Sequence, residues 1–296
     1  MKILYVKNSS ARAKAYQLQT IIYEENGQKF VKKEALCIEA IPHLMNMKES
    51  YSKLNSAIIN PQVKLAKIVD ESEKSLTFEY IDGVSLEEKF YEASSEGKES
   101  RDALVRSYIE LLKSSFKTTT LTIDDNNSDD YQKLFGTESL SKFDKQESFE
   151  DISNIDLIFS NIIYQDETVY LIDYEWVFDM PMPIEYVVYR SIYHTLRDKS
   201  EIDAIDMVVD YSEVEKFFID DVVMKDAFYY TKLNYYKRKH TIERVLEAKD
   251  EIIAKREEQI EERDQSILYW QGVAESMRLK NRVKQLLNKI LPSKQD

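Results

Sequence analysis

From Tyr16 to Glu24 the chain is dense in β-branched and aromatic residues, Asn26-Gly27 marks a tight turn, and Lys29 to Lys33 reads as the returning strand of a hairpin. Met1-Lys-Ile-Leu-Tyr-Val-Lys7 is too short for the apolar core of a signal peptide and reads as another strand. A small antiparallel sheet is therefore expected first. Leu36, Ala40, His43, Leu44, Met47, Tyr51 and Leu54 then recur at the helical period, and Pro42 is tolerable there only in a first turn. Val63 to Val69 and Ser75 to Tyr80 read as two more strands. Asp82-Gly83 turns the chain, and Ser85-Leu-Glu-Glu88 is a capping box that opens a second helix.

Beyond it, an amphipathic helix is expected over 101–116 on Leu104, Tyr108, Leu111 and Leu112, and then an irregular polar stretch from Thr118 to Ser153. The acidic run Asp124 to Asp130 reads as a solvated loop, because the glycine and terminal glutamate of an EF-hand are absent. Residues 183–197 and 205–236 read as helices rich in tyrosine and phenylalanine; Arg190 in the first of them could meet an acceptor phosphate or sugar, or form a buried structural pair. From 241 to 277 Leu246, Ile253, Ile260, Ile267 and Ala274 recur every seven residues, while Lys249, Arg256 and Arg263 charge the companion column. That pattern leaves two readings open: a coiled coil that pairs with a second copy or another helix, or a solvated single helix laced by Glu/Lys pairs.

Charge sharpens the tail. The 296 residues carry a net charge of -13, which argues against general nucleic-acid binding. Against that background, 278–294 is basic and amphipathic: Leu279, Val283, Leu286, Leu287 and Ile290 form one stripe, flanked by Arg278, Lys280, Arg282, Lys284 and Lys289. Such a helix suits an anionic membrane surface, with docking on a partner or on the protein's own acidic face as the other reading. No apolar run approaches the length of a membrane span. The single cysteine, Cys37, is expected to be a buried free thiol in a reducing compartment, so the expected location is cytoplasmic, peripheral at the inner face of the membrane.

The candidate chemistry lies between Asn154 and Trp176. Asp156 precedes Asn161 by five residues, and Asp173 follows Asn161 by twelve, at the end of the strand pattern Thr168-Val-Tyr-Leu-Ile172. Three oxygen-bearing side chains thus border one short hairpin, and oxygen donors are what a hard, octahedral magnesium ion requires. The spacing resembles the phosphotransfer centre of protein kinases. The element order of the first 80 residues likewise resembles a kinase small lobe.

The resemblance is to the protein-kinase-like superfamily, and more closely to its sugar and small-molecule kinases. Asp173-Tyr174-Glu175 stands where choline and aminoglycoside kinases have Asp-aromatic-Glu. The longer string Leu171 to Arg190, with Asn154-Ile-Asp156 before it, is similar to the kinase domain of bacterial O-antigen kinase/methyltransferases that terminate polysaccharide chains. The resemblance implies an α+β, bilobal fold: an antiparallel N-lobe sheet with one helix over 1–80, a helical C-lobe over 81–240, a long coiled-coil helix over 241–277 and the basic helix over 278–294. It implies ATP and Mg2+ as cofactors and a sugar or lipid-linked glycan hydroxyl as acceptor. Asp156 would take the hydroxyl proton, and Asn161, Asp173 and Glu175 would serve the metal. Lys33, preferred over Lys32 by strand alternation, would hold the phosphates, braced by Glu39 in preference to Glu49. The Glu79 carbonyl and the Ile81 amide would meet adenine. The chain departs from the pattern in four ways. It has no glycine-rich loop before Thr20, so Ser9, Ser10, Arg12 and Lys14 would cover the phosphates; Asn154 replaces the usual histidine; Pro181-Met-Pro183 leaves no activation loop; and no methyltransferase motif is present. A pseudokinase scaffold and a choline- or antibiotic-type small-molecule kinase are the competing readings.

Overall fold

Strands β1 (Lys2–Asn8), β2 (Leu18–Glu25) and β3 (Gln28–Ala35) open the computed structural model, which describes residues 1–196, 198–225 and Lys280. Asn26 and Gly27 join β2 to β3 with φ of 52° and 77°, the two left-handed residues that a two-residue hairpin demands. Helix α1 (Ile41–Ala57) packs Leu44, Met47 and Leu54 against the sheet. It starts later than the apolar period suggests. Pro42 sits in its first turn, a short 3-10 turn over Ile38–Ala40 precedes it, and Leu36 is left 39% exposed.

The strand expected over 63–69 is two strands: β4 (Val63–Leu65), and β5 (Ile68–Ser72) beside β6 (Ser75–Glu79). The order β1-β2-β3-β6-β5 completes an antiparallel five-stranded sheet. Then come β7 (Val84–Ser85), α2 (Leu86–Glu96) and α3 (Lys98–Ser115), the first helix opened by the expected Ser85/Glu88 capping box.

The stretch 118–153 is not irregular. It forms β8 (Thr118–Thr120), α4 (Ser128–Phe135), α5 (Glu138–Phe143), β9 (Glu147–Phe149) and the start of β10 (Ser153–Asn154). Tyr131, Phe135, Phe143 and Phe149 are all at most 1% exposed, so four rings spaced too unevenly to show a period anchor it to the core. The acidic run ends in α4, and Asp124 accepts the Asn126 amide at 2.8 Å just before it.

Next follow β11 (Ile162–Gln165), β12 (Thr168–Leu171) and β13 (Val177–Phe178), then α6 (Ile184–Leu196), α7 (Lys199–Asp203) and α8 (Ser212–Phe217), which runs on as a π-helical turn over Phe218–Val223. Helix was expected from 205 onward, yet α8 begins only at Ser212, whose amide bonds the Asp210 carboxylate at 2.8 Å. A second sheet, β4-β12-β11-β7, joins the segments on either side of the linker at 80–83. The described residues are thus α+β and bilobal, an antiparallel sheet with one helix followed by a helical part. Cys37 is free and half-buried rather than buried. No helix among the described residues is long and apolar enough to cross a membrane.

The described residues through Lys225 belong to one compact unit. The end of the helix expected over 205–236, the coiled coil expected over 241–277 and all but Lys280 of the basic helix expected over 278–294 lie outside the described residues.

Candidate active site

The β11–β12 hairpin brings its two ends together. The Ile172 amide donates to the Asn161 carbonyl at 2.9 Å, and Asp173, next in line, adopts a φ of 52°, a left-handed backbone that turns it out of the strand. Asn161 closes a short 3-10 turn and donates its side-chain amide to the Asp156 carbonyl at 3.0 Å. The Asp156 amide donates to Asn154 Oδ1 at 2.9 Å, and Asp156 Oδ2 accepts the Trp176 amide at 2.9 Å. Asn154, where a kinase has histidine, therefore shapes the loop that carries Asp156.

Asp156 is 7% exposed. Burial pushes its carboxyl up to about 7; Arg190 and the Trp176 amide pull it down, while Asp173 and Glu175 add to the rise. Arg190 Nη2 lies 3.5 Å from Asp156 Oδ1, but its Nη1 holds both Glu215 oxygens at 2.7 Å and its Nε donates to the Ile155 carbonyl at 3.0 Å. Arg190 is a buried structural pair, not a group free to meet an acceptor.

The small lobe supplies the cations. Lys33, 4% exposed, donates to Asp173 Oδ1 and, at 3.1 Å, to Glu175 Oε2. Lys32 faces the other way and pairs with Glu34 at 3.0 Å. Burial alone would lower the Lys33 pKa, but the charges of Asp173 and Glu175 raise it above the usual lysine range. Glu175 shows the reverse: burial works upward and is outweighed by Lys33, His43 and Arg12, which hold it far below the carboxylate range.

Three expected roles do not match this geometry. Glu39 does not brace Lys33; it lies ahead of α1 and pairs with Lys14 at 3.2 Å, because the late helix start leaves it at the surface. Glu175 is not open to a metal, since Oε1 is taken by Arg12 and by His43 at 3.0 Å and Oε2 by Lys33. Arg12, expected over the phosphates, is bound to Glu175 and lies 5.8 Å from the Trp176 ring centroid. Its loop is tied down by the Ala13 amide, which donates to the Val223 carbonyl at 2.9 Å. At the hinge, the Glu79 amide and carboxylate pair with the Lys67 backbone at 3.0 and 2.9 Å, and Ile81 is half-buried.

The solved structures that resemble the chain include aminoglycoside and macrolide phosphotransferases, with TM-scores of 0.40 or less. The streptomycin–ATP–APH(2'')-IIa ternary complex is 13% identical with a TM-score of 0.40, covering 70% of this chain and 81% of that one. ADP-bound aminoglycoside phosphotransferase APH(2'')-Ib is 13% identical over 70% of this chain and 82% of that one, with a TM-score of 0.33. Macrolide 2'-phosphotransferase MphH from Brachybacterium faecium is 7% identical over 77% and 83%, with a TM-score of 0.33. No family model matches the sequence, and no curated protein matches it. The function has to be read from the chain's own residues.

Those residues offer a metal little but suitable oxygen. Among the described residues no group of three or more histidine, cysteine or acidic side chains is arranged to hold an ion. Asn161 uses its nitrogen on Asp156 and Asp173 uses Oδ1 on Lys33, so Asn161 Oδ1 and Asp173 Oδ2 have no protein partner among the described residues. One amide and one carboxylate oxygen fit Mg2+, which keeps several waters and takes its other ligands from a substrate's phosphates. In the sequence, His43 falls within the apolar stripe of the first helix. A histidine on such a stripe is its only sequence signal.

Proposed function

We propose that the chain is an ATP-dependent phosphotransferase acting on a hydroxyl acceptor. One observation carries this reading. Lys33 of β3 meets Asp173 and Glu175 at the hairpin end, and the buried carboxylate Asp156 lies behind them, hydrogen-bonded to the amide of Trp176. ATP with Mg2+ would supply the phosphoryl group and part of the neutralising charge. Lys33 holds phosphate oxygens, Asn161 Oδ1 and Asp173 hold the metal, and the Glu79 carbonyl and Ile81 amide take the adenine edge. Asp156 accepts the hydroxyl proton. A carboxyl raised to about 7 is matched to that task, since a base works best with a pKa near the operating pH. Phosphoryl transfer needs positioning and charge neutralisation more than covalent chemistry, and this set of residues supplies both.

The acceptor we propose is a sugar hydroxyl, carried on a lipid-linked glycan at the inner face of the membrane, as in chain termination during surface-polysaccharide synthesis. The Leu171 to Arg190 string and the basic sequence of 278–294 support it, and 241–277 would associate with a second copy or a helical partner. The test is transfer of labelled γ-phosphate to free sugars, and to lipid-linked glycans in vesicles with and without anionic lipid. Labelling of the vesicle-borne glycan, lost on removal of 241–296, supports the reading. Labelling only of soluble small molecules, unaffected by that truncation, replaces it with a small-molecule kinase. No Mg2+-dependent ATP binding at all leaves a scaffold.

A further inference from the structure

A buried ammonium needs a counter-charge that stays with it. Lys33 has two, of different standing. Asp173 has a side chain 38% exposed and is the carboxylate proposed for the metal, so its charge is shared. Glu175 is 6% exposed and has no other role in the proposed chemistry. In the kinase plan the lysine's partner is a glutamate of the following helix, and here no acid of that region reaches it. Glu39 pairs with Lys14, and Glu49 is exposed.

What α1 does send inward is His43, from its first turn. The ring lies edge-on to Tyr16 at 5.0 Å and 4.8 Å from the Trp176 ring, which fixes its orientation. Its Nε2 is 3.0 Å from Glu175 Oε1, and the other oxygen of the same carboxylate is 3.1 Å from Lys33 Nζ. Arg12 and Lys33 both donate to the same carboxylate, so its oxygens act as acceptors and Nε2 is the donor. Helix α1 and strand β3 are therefore linked by a chain of histidine, glutamate and lysine.

We infer that Glu175, fixed by His43, is the positioning residue that aims Lys33 at the nucleotide, so that α1 braces the lysine through a histidine relay instead of through a glutamate of its own. The inference rests on the phosphotransfer reading for what Lys33 holds. Arg12, the third group on Glu175, has a side chain 29% exposed against 8% for His43, so the relay runs through the more enclosed partner.

The experiment uses the full-length protein, calorimetric Mg·ATP binding and the ATP dependence of turnover. His43→Ala should raise the Kd and KM for ATP about tenfold, the worth of one hydrogen bond to a charged group, with kcat within about twofold. His43→Gln, whose side-chain nitrogen can stand where Nε2 stands, should recover most of that loss. Glu175→Gln, which keeps the shape and removes the charge, should weaken ATP binding at least as much as His43→Ala. Thermal melts of all three identify any variant that fails to fold, in which case the other two decide. Wild-type ATP affinity in His43→Ala or in Glu175→Gln overturns the relay, as does a Gln variant no better than the Ala variant. If the wild type itself binds no Mg·ATP, the phosphotransfer reading falls and the relay falls with it; if it binds, the variants judge the relay alone.

Discussion

The two sides of the site are held by different means. At the hairpin end, hydrogen bonds through Ile172, Asn161, Asn154 and Trp176, each with a main-chain group as donor or acceptor, fix Asp156, Asn161 and Asp173. On the small-lobe side, Lys33, Arg12 and His43 are held by side-chain charge converging on Glu175. A site residue on the first side should be replaceable without disturbing the fold, so its loss is read in chemistry. A residue on the second side is part of a charge network, so its loss is read in nucleotide affinity and in stability together.

Asp156→Asn makes the sharpest break. Asn keeps an oxygen for the Trp176 amide but is no base, and turnover should fall by about 10²–10⁴-fold while the melting temperature barely moves. A steady-state assay beside a thermal melt checks both halves. Next comes Arg190→Met, which strands the buried Glu215 carboxylate and should cost about 3–5 kcal/mol in chemical denaturation.

These contrasts also explain what the sequence made legible. The placement of Asp156, Asn161 and Asp173 around one hairpin could be read because it is local: a turn, a hairpin of known length and strand alternation fix where each one emerges. That Lys33 and Lys32 face opposite ways could be read for the same reason, one residue in a strand being one face of a sheet. The pairings could not be read. His43 meets Glu175 across 132 residues and Arg12 meets it across 163, and no periodicity encodes such contacts. Glu39 was misplaced because the apolar period runs on through Leu36, whereas Pro42 fixes where α1 begins. The helices of 118–153 went unread because each is under three turns long and is stabilised by buried rings rather than by an apolar stripe.

The charge-held regions also answer to acid. For Glu215 burial works upward, but Arg190 and His194 outweigh it and hold the carboxyl down to about 2, from 4.5. A lowered pKa stabilises the fold above the unfolded value, and that contribution disappears as pH falls through the folded one. Stability should therefore decline between about pH 5 and pH 2, and Glu215→Gln should flatten that part of a denaturation series.

Smaller effects refine the contrast. At Gly83 an added Cβ would strike the Tyr164 carbonyl and approach Ile163 Cγ2 to 2.8 Å. Gly83→Ala should thus push β7 off β11 and cost about 1–3 kcal/mol, measured by denaturant titration. Glu39→Gln should change neither the melting temperature nor the KM for ATP, since its surface pair with Lys14 lies apart from Lys33. A rise in KM there would restore the direct glutamate brace and count against the charge network centred on Glu175.

The most direct test is a calorimetric titration of ATP into the full-length protein, with Mg2+ and with chelator, beside the Asp173→Asn variant. The account predicts saturable one-site binding that needs Mg2+ and is greatly weakened in the variant. Absence of binding, or binding indifferent to both the metal and Asp173, would contradict it.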